Sequence, residues 1–210
     1  AYANYKLGTI TLLIMFFISL SFLWLMGFAL VDNIVRGITD SAILQSLIFF
    51  GIIGGASSLI GLPFEVYDTF VVEEKFGFNK TTPATFVMDK LKGLLLAVIV
   101  GGGILALLTF LYGLLGDKFW IAAWIVVAAF SILLAMFYTN LLLPLFNKLT
   151  PLESGPLRDS IEEYSRKVQF PLTNILIMDG STRSTKANAF FSGLGSKKNI
   201  VLYDNLVNDM

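Results

Sequence analysis

Neither cysteine nor histidine occurs in the 210 residues. The first absence excludes a disulfide framework and leaves the redox compartment without a mark on the chain. Together the two absences remove the thiolate and imidazole donors on which zinc sites chiefly draw, so that only Asp and Glu remain as protein ligands. Charge is also scarce, at 14% of residues, where an ordinary soluble domain carries about 25%. Fifteen bases balance fifteen acids. No basic field exists to hold a nucleic-acid backbone, and no nucleic-acid partner is expected.

Hydrocarbon fills the space that charge leaves. Hydrophobic residues make up 56% of the chain, Phe alone occurs nineteen times, and the mean hydropathy is +0.76. Four intervals contain no charge at all: 25 residues between Lys6 and Asp32, 24 between Asp40 and Glu65, 24 between Lys92 and Asp117, and 29 between Lys118 and Lys148. About 20 apolar residues suffice to carry a helix across the hydrocarbon core. Lipid offers no partner to backbone polar groups, so an open chain crosses it as helix. Buried helices of a soluble protein would keep a polar face, which these intervals lack. The pattern predicts four membrane spans, at about 8–31, 42–64, 93–116 and 119–143. The first run is too long for a cleavable signal peptide and is followed by a return into the membrane.

The one long polar interruption before residue 148 runs from Leu62 to Lys92, with Glu65, Asp68, Glu73, Glu74, Lys75 and Lys80 within sixteen residues. It is expected to be a water-exposed loop. Four crossings put Lys6, this loop and everything after Lys148 on one side. That side carries Lys6, Lys75, Lys80, Lys90, Lys92 and Lys148, against Arg36 and Lys118 on the other. The positive-inside rule then makes loop 65–92 and the C-terminal segment cytoplasmic. Gly51 and Gly55 form a G-x-x-x-G pair suited to close helix approach, and Gly101–Gly103 offer a packing site or a hinge. Pro63 and Pro144 stand at the ends of their spans.

Past Pro151 the composition becomes that of a soluble segment. Leu157, Ile161, Tyr164 and Val168 recur at helical spacing with Asp159, Glu162, Glu163, Arg166 and Lys167 opposite, an amphipathic helix ended before Pro171. Asn174–Met178 and Asn199–Tyr203 read as short strands, with another expected over Ala187–Phe191 and turn points at Gly180, Gly193 and Gly195. Asn205–Met210 reads as the start of a further helix, and Arg183 and Lys186 as solvated bases. The fold expected is mainly α: a polytopic membrane bundle over residues 1–148, followed over 149–210 by a small α/β cytoplasmic segment with a β-hairpin.

Three stretches carry a resemblance. GLPFEVYDTFVVEEKFGFNKTT, YTNLLLPLFNKLTPLESGPLRDSIEE and FPLTNILIMDGSTRSTKANAFFSGLGSKKNIVLYDNL, in that order, resemble segments of the CAAX prenyl protease family, membrane-embedded zinc metalloproteases. The first 44 residues match only in hydropathy. The resemblance implies a zinc-dependent endopeptidase, embedded in the lipid bilayer, that cuts membrane-associated or prenylated substrates. In that family an H-E-x-x-H helix supplies zinc ligands and a general base. It would follow the IVLYD-like strand, and residue 210 falls before it. The resemblance therefore makes 149–210 the start of the metalloprotease domain, with the C-terminal remainder as its partner and zinc belonging to the full-length parent. It carries over no catalytic and no metal residue, and these 210 residues alone are expected to be inactive. One element does carry over: Asn188, Ala189, Phe190 and Phe191 are implied to line the active-site cleft and pair with extended substrate by β-augmentation. A non-catalytic membrane scaffold or inactive homologue would share these residues, and the sequence beyond them would discriminate. A transporter would favour charge or broken helices at mid-membrane.

Overall fold

The computed structural model describes residues 2–195 and 198–208. Among the described residues nine α-helices and four strands follow in order: α1 (Tyr2–Trp24), α2 (Gly27–Arg36), α3 (Ala42–Tyr67), α4 (Pro83–Leu96), α5 (Gly102–Leu115), α6 (Phe119–Phe137), α7 (Leu143–Phe146), β1 (Leu149–Pro151), α8 (Pro156–Lys167), β2 (Leu172–Met178), β3 (Ala189–Ser192), β4 (Lys198–Tyr203) and α9 (Asp204–Asn208). Wide π turns at Asp68–Glu73, Ala97–Gly101 and Tyr138–Leu142 prolong α3, join α4 to α5, and join α6 to α7. Three helical stretches among the described residues are long and apolar enough to cross a membrane: Tyr2–Trp24, Ala42–Glu73 and Pro83–Phe146. The last is interrupted at Gly116, where φ is 51° and ψ is −124°. An α-helix does not tolerate that conformation, and a side chain rarely adopts it.

The chain divides into two compact units, Ala1–Gly77 with Gly93–Ala123, and Phe78–Lys92 with Trp124–Met210. In the first, α3 packs on α5 and on α2. Leu47 of α3 lies within 3.6 Å of where a Cβ on Gly102 of α5 would stand. A Cβ built at Gly51 or Gly55 would touch nothing within 4 Å. The first span is shorter than its apolar interval, because Met26 takes a left-handed conformation and the ring of Phe22 occupies the space a Cβ on Gly27 would need. The chain restarts as α2, whose Val31 and Val35 are buried while Phe28 stacks edge-on against Phe22. Asn4 on α1 donates to Glu73 at 2.7 Å.

The charged stretch after Leu62 is not a loop. Pro63 lies inside α3, and helical structure continues to Lys75, leaving residues 76–82 as the non-helical connection to α4. A helix leaving the membrane needs no break: once charge can be hydrated, Glu and Lys are good helix formers.

The second unit is built on a four-stranded mixed sheet of order β1-β2-β4-β3. β2 and β4 run parallel with Ile175 opposite Ile200, and β3 turns back antiparallel on β4 with Phe190 opposite Val201. Alternation along the strands gives the sheet two faces. On one, Leu143 of α7 packs with Met178 and Val201, joined by Phe190 and Tyr203. On the other, Leu152, Ile175 and Leu202 pack with Leu157 and Ile161 of α8 and Leu206 and Val207 of α9. The α8 stripe is covered only in its first half; Tyr164 and Val168 are exposed. β1 has no counterpart in the sequence reading, and the helix expected over Asn205–Met210 is α9 as far as Asn208, with Asp209 and Met210 outside the described residues.

Candidate substrate edge

Asn188 and β3 stand at the margin of the sheet. Only β4 is paired with β3 among the described strands, so one side of β3 is open. The register says which groups face that side. Asn188 opens the ladder, its carbonyl accepting the Tyr203 N–H at 2.9 Å. In an antiparallel pair the hydrogen-bonded positions alternate with positions whose N–H and C=O point away. From Asn188 onward, Phe190 and Ser192 therefore bond to Val201 and Asn199, while Ala189 and Phe191 present their backbone groups outward. The Asn188 side chain curls back, its Oδ1 accepting the Ala189 N–H at 2.9 Å. This leaves Phe191 with an outward donor and acceptor, in the arrangement by which a sheet edge recruits another strand.

The side chains are held from both faces. Phe190 points into the α7 face, edge-on to Tyr203. Ser192 meets the hydroxyl of Thr139, a side chain 2% exposed in the π turn before α7. Phe191 lies on the α8 face, 68% exposed and edge-on to Phe170 at 5.9 Å. It borders an open apolar groove of about 460 Å³, with Ile161, Tyr164, Val168 and Ile200 among its walls.

The segment from Asp179 to Asn188 leads into this edge and is stitched down by polar contacts. Asp204 accepts the Ser181 N–H at 2.8 Å and also its hydroxyl. Thr185 N–H donates to the Phe78 carbonyl at 3.0 Å, and Lys80 N–H to the Arg183 carbonyl at 3.0 Å. Arg183 is not the solvated base the sequence led one to expect. Its Nε and one terminal nitrogen grip the two oxygens of Asp89 at 2.8 and 3.0 Å, and it donates further to the Asn147 side chain and the Phe146 carbonyl. The hydrogen bond to Asp89 raises the guanidinium pKa above its ordinary value, with partial burial opposing. Arg183 is therefore charged throughout the range in which a protein is folded. Lys186 rests over the ring of Phe78, 4.8 Å from its centre. Sequence reasoning assigned no part to Asp89, Asn147 and Thr139; each acquires its part through a contact distant in sequence.

Both parts of the chain match a family. Residues 1–148 match the CAAX prenyl protease N-terminal family, described by five membrane helices, and residues 151–210 match peptidase family M48. This chain belongs to the CAAX prenyl protease family. Relatives include the probable CAAX prenyl protease 1 of Schizosaccharomyces pombe, 41% identical over 94% of this chain and 43% of the relative. CAAX prenyl protease 1 of Saccharomyces cerevisiae is 40% identical over 89% and 42%. The crystal structure of S. mikatae Ste24p superposes with a TM-score of 0.90 at 37% identity, over 98% of this chain and 50% of that one. The chain thus spans about half the length of the CAAX prenyl proteases it matches.

Zinc, which the M48 family implies, does not fit the donors present. The chain has no Cys or His, and no three carboxylates gather into a group among the described residues.

Proposed function

We propose that this chain forms the membrane-embedded part and the substrate edge of a zinc-dependent endopeptidase of the CAAX prenyl protease type, acting on membrane-associated or prenylated peptides. Residues 1–148 are the membrane domain and 149–210 begin the protease domain, with zinc ligands and general base supplied by polypeptide outside these residues. The chain crosses the bilayer four times, leaving residues 65–92 and 149–210 in the cytoplasm. Supporting this count, a helical stretch of 64 residues would be about 100 Å long, against about 30 Å of hydrocarbon, and the backbone of Gly116 offers the point of return.

The observation that carries the substrate assignment is the open edge of β3, where Phe191 turns its N–H and C=O away from β4. A peptide adding there as a strand is held extended, the form in which its scissile carbonyl is most accessible. The test follows from the direction of that N–H. In the full-length enzyme, Phe191→Pro removes an outward donor and spares the ladder to β4, which an edge strand tolerates. Phe191→Leu keeps the donor and loses only part of the ring surface. The proline variant is expected to lose kcat/KM by about tenfold or more relative to the leucine variant, the worth of a charge-free hydrogen bond made with bound peptide. Equal kcat/KM for the two, both folded, would remove β3 from the substrate path.

A further inference from the structure

The crossover from β2 to β3 has nothing hydrophobic to anchor it. Of Asp179–Asn188, Ala187 is the sole residue with a purely apolar side chain. Segments of this kind open at low free energy unless polar contacts hold them. Contacts at either end are made to backbone and to α9: Asp204 holds Ser181, and Asn205 donates to the carbonyls of Ser184 and Lys186. The middle is bridged through the backbone of Ser184 and Thr185 to residues 78–80, and from it one side chain reaches farther. Arg183 reaches the Asp89 carboxylate on α4, and the Phe146 carbonyl and Asn147 amide at the end of α7. Its own carbonyl receives the Lys80 N–H and the Thr81 hydroxyl. Three chain segments far apart in sequence therefore meet on one residue.

We infer that Arg183, through its paired grip on Asp89, is a positioning residue that fixes the β2–β3 crossover and thereby the peptide-binding edge of β3. The inference rests on the reading of β3 as the substrate edge. Only a guanidinium suits the place: its planar fork meets both carboxylate oxygens while a further N–H reaches the carbonyl, which the single point of a lysine ammonium cannot do. The Arg183 and Asp89 side chains are 26% and 25% exposed, so the pair is sheltered from the screening that empties surface ion pairs of effect. Five residues after Arg183, the Asn188 carbonyl makes the first ladder bond to β4. If the crossover loosens, that bond frays, and the outward groups of Ala189 and Phe191 lose their fixed direction. An incoming peptide must then order the edge as it binds, and the effect falls on KM rather than on kcat.

The test uses the full-length, zinc-loaded enzyme with a peptide substrate, together with amide hydrogen exchange. Arg183→Lys is expected to raise KM about tenfold with kcat within about twofold of the parent. It is also expected to speed exchange at Ala189–Ser192 while β2 keeps its protection. Asp89→Asn, isosteric and milder, is expected to act in the same direction, and carries the exchange measurement should the lysine variant fail to fold. Exchanging the pair, Asp89→Arg with Arg183→Asp, is expected to recover part of both effects. Unchanged KM and unchanged exchange at β3 in the variants would overturn the assignment, as would a loss confined to kcat. If the full-length parent itself cuts no peptide, the proposed function fails; the exchange measurement still decides whether Arg183 positions β3.

Discussion

Gly180 shows how a residue can be noticed in a sequence for one reason and required in the structure for another. As a turn point it is one of several glycines. In the fold a Cβ at this position would lie 2.4 Å from the ring of Tyr203, which itself stacks edge-on against Phe190. That ring cannot yield without disturbing the β4–β3 pair. Gly180→Ala is expected to destabilise the protein by about 1–3 kcal/mol, the usual penalty of overpacking, read as a lower unfolding temperature in detergent. Replacing Tyr203 by Leu in the same chain should recover part of the loss. Lys167→Gln offers the contrast. Its partner Glu163 is one helical turn away and both side chains are largely exposed, so less than about 0.5 kcal/mol is expected. A sequence shows both residues equally well, but the distance from Gly180 to a ring 23 positions later is a property of the folded chain alone.

At the level of the element, the helical intervals were legible because lipid imposes a composition, and a stretch without charge is hard to place elsewhere. Their ends were not. Charge marks where water begins, and a helix is free to pass that point, as α3 does to Lys75, or to stop short of it, as α1 does at Trp24. The amphipathic α8 was readable from its period and strands β2 and β4 from short apolar runs, the strand expected over Ala187–Phe191 lies at Ala189–Ser192, and the three residues of β1 gave no signal to read. The break between α5 and α6 turns on Gly116, whose positive φ and strongly negative ψ favour glycine. Gly116→Ala is expected to cost about 1–3 kcal/mol in thermal stability. Gly113→Ala, inside α5 with nothing within 4 Å of a new Cβ, should be neutral or stabilising by up to about 1 kcal/mol.

For the whole molecule, the proposed threading has a direct readout, because these 210 residues carry no cysteine to obscure a label. Single cysteines at Asp117, Lys80 and Ser181 are expected to divide. In intact cells Asp117 should react with a membrane-impermeant thiol reagent, while Lys80 and Ser181 should react only after lysis. Labelling of Asp117 and Ser181 from the same side would reject four crossings. The candidate site was legible only in part: NAFF was recognisable as a local string, but its support from Thr139, Asp89 and Asn147 depends on folding. The Arg183–Asp89 pair joins residues 94 positions apart, and that interval is also a span of time. A chain leaving the ribosome at about 5–20 residues per second exposes Asp89 some 5–20 s before its guanidinium exists. During those seconds the carboxylate midway along α4 waits for the guanidinium that will grip it, and this stitch behind the proposed peptide edge waits on translation.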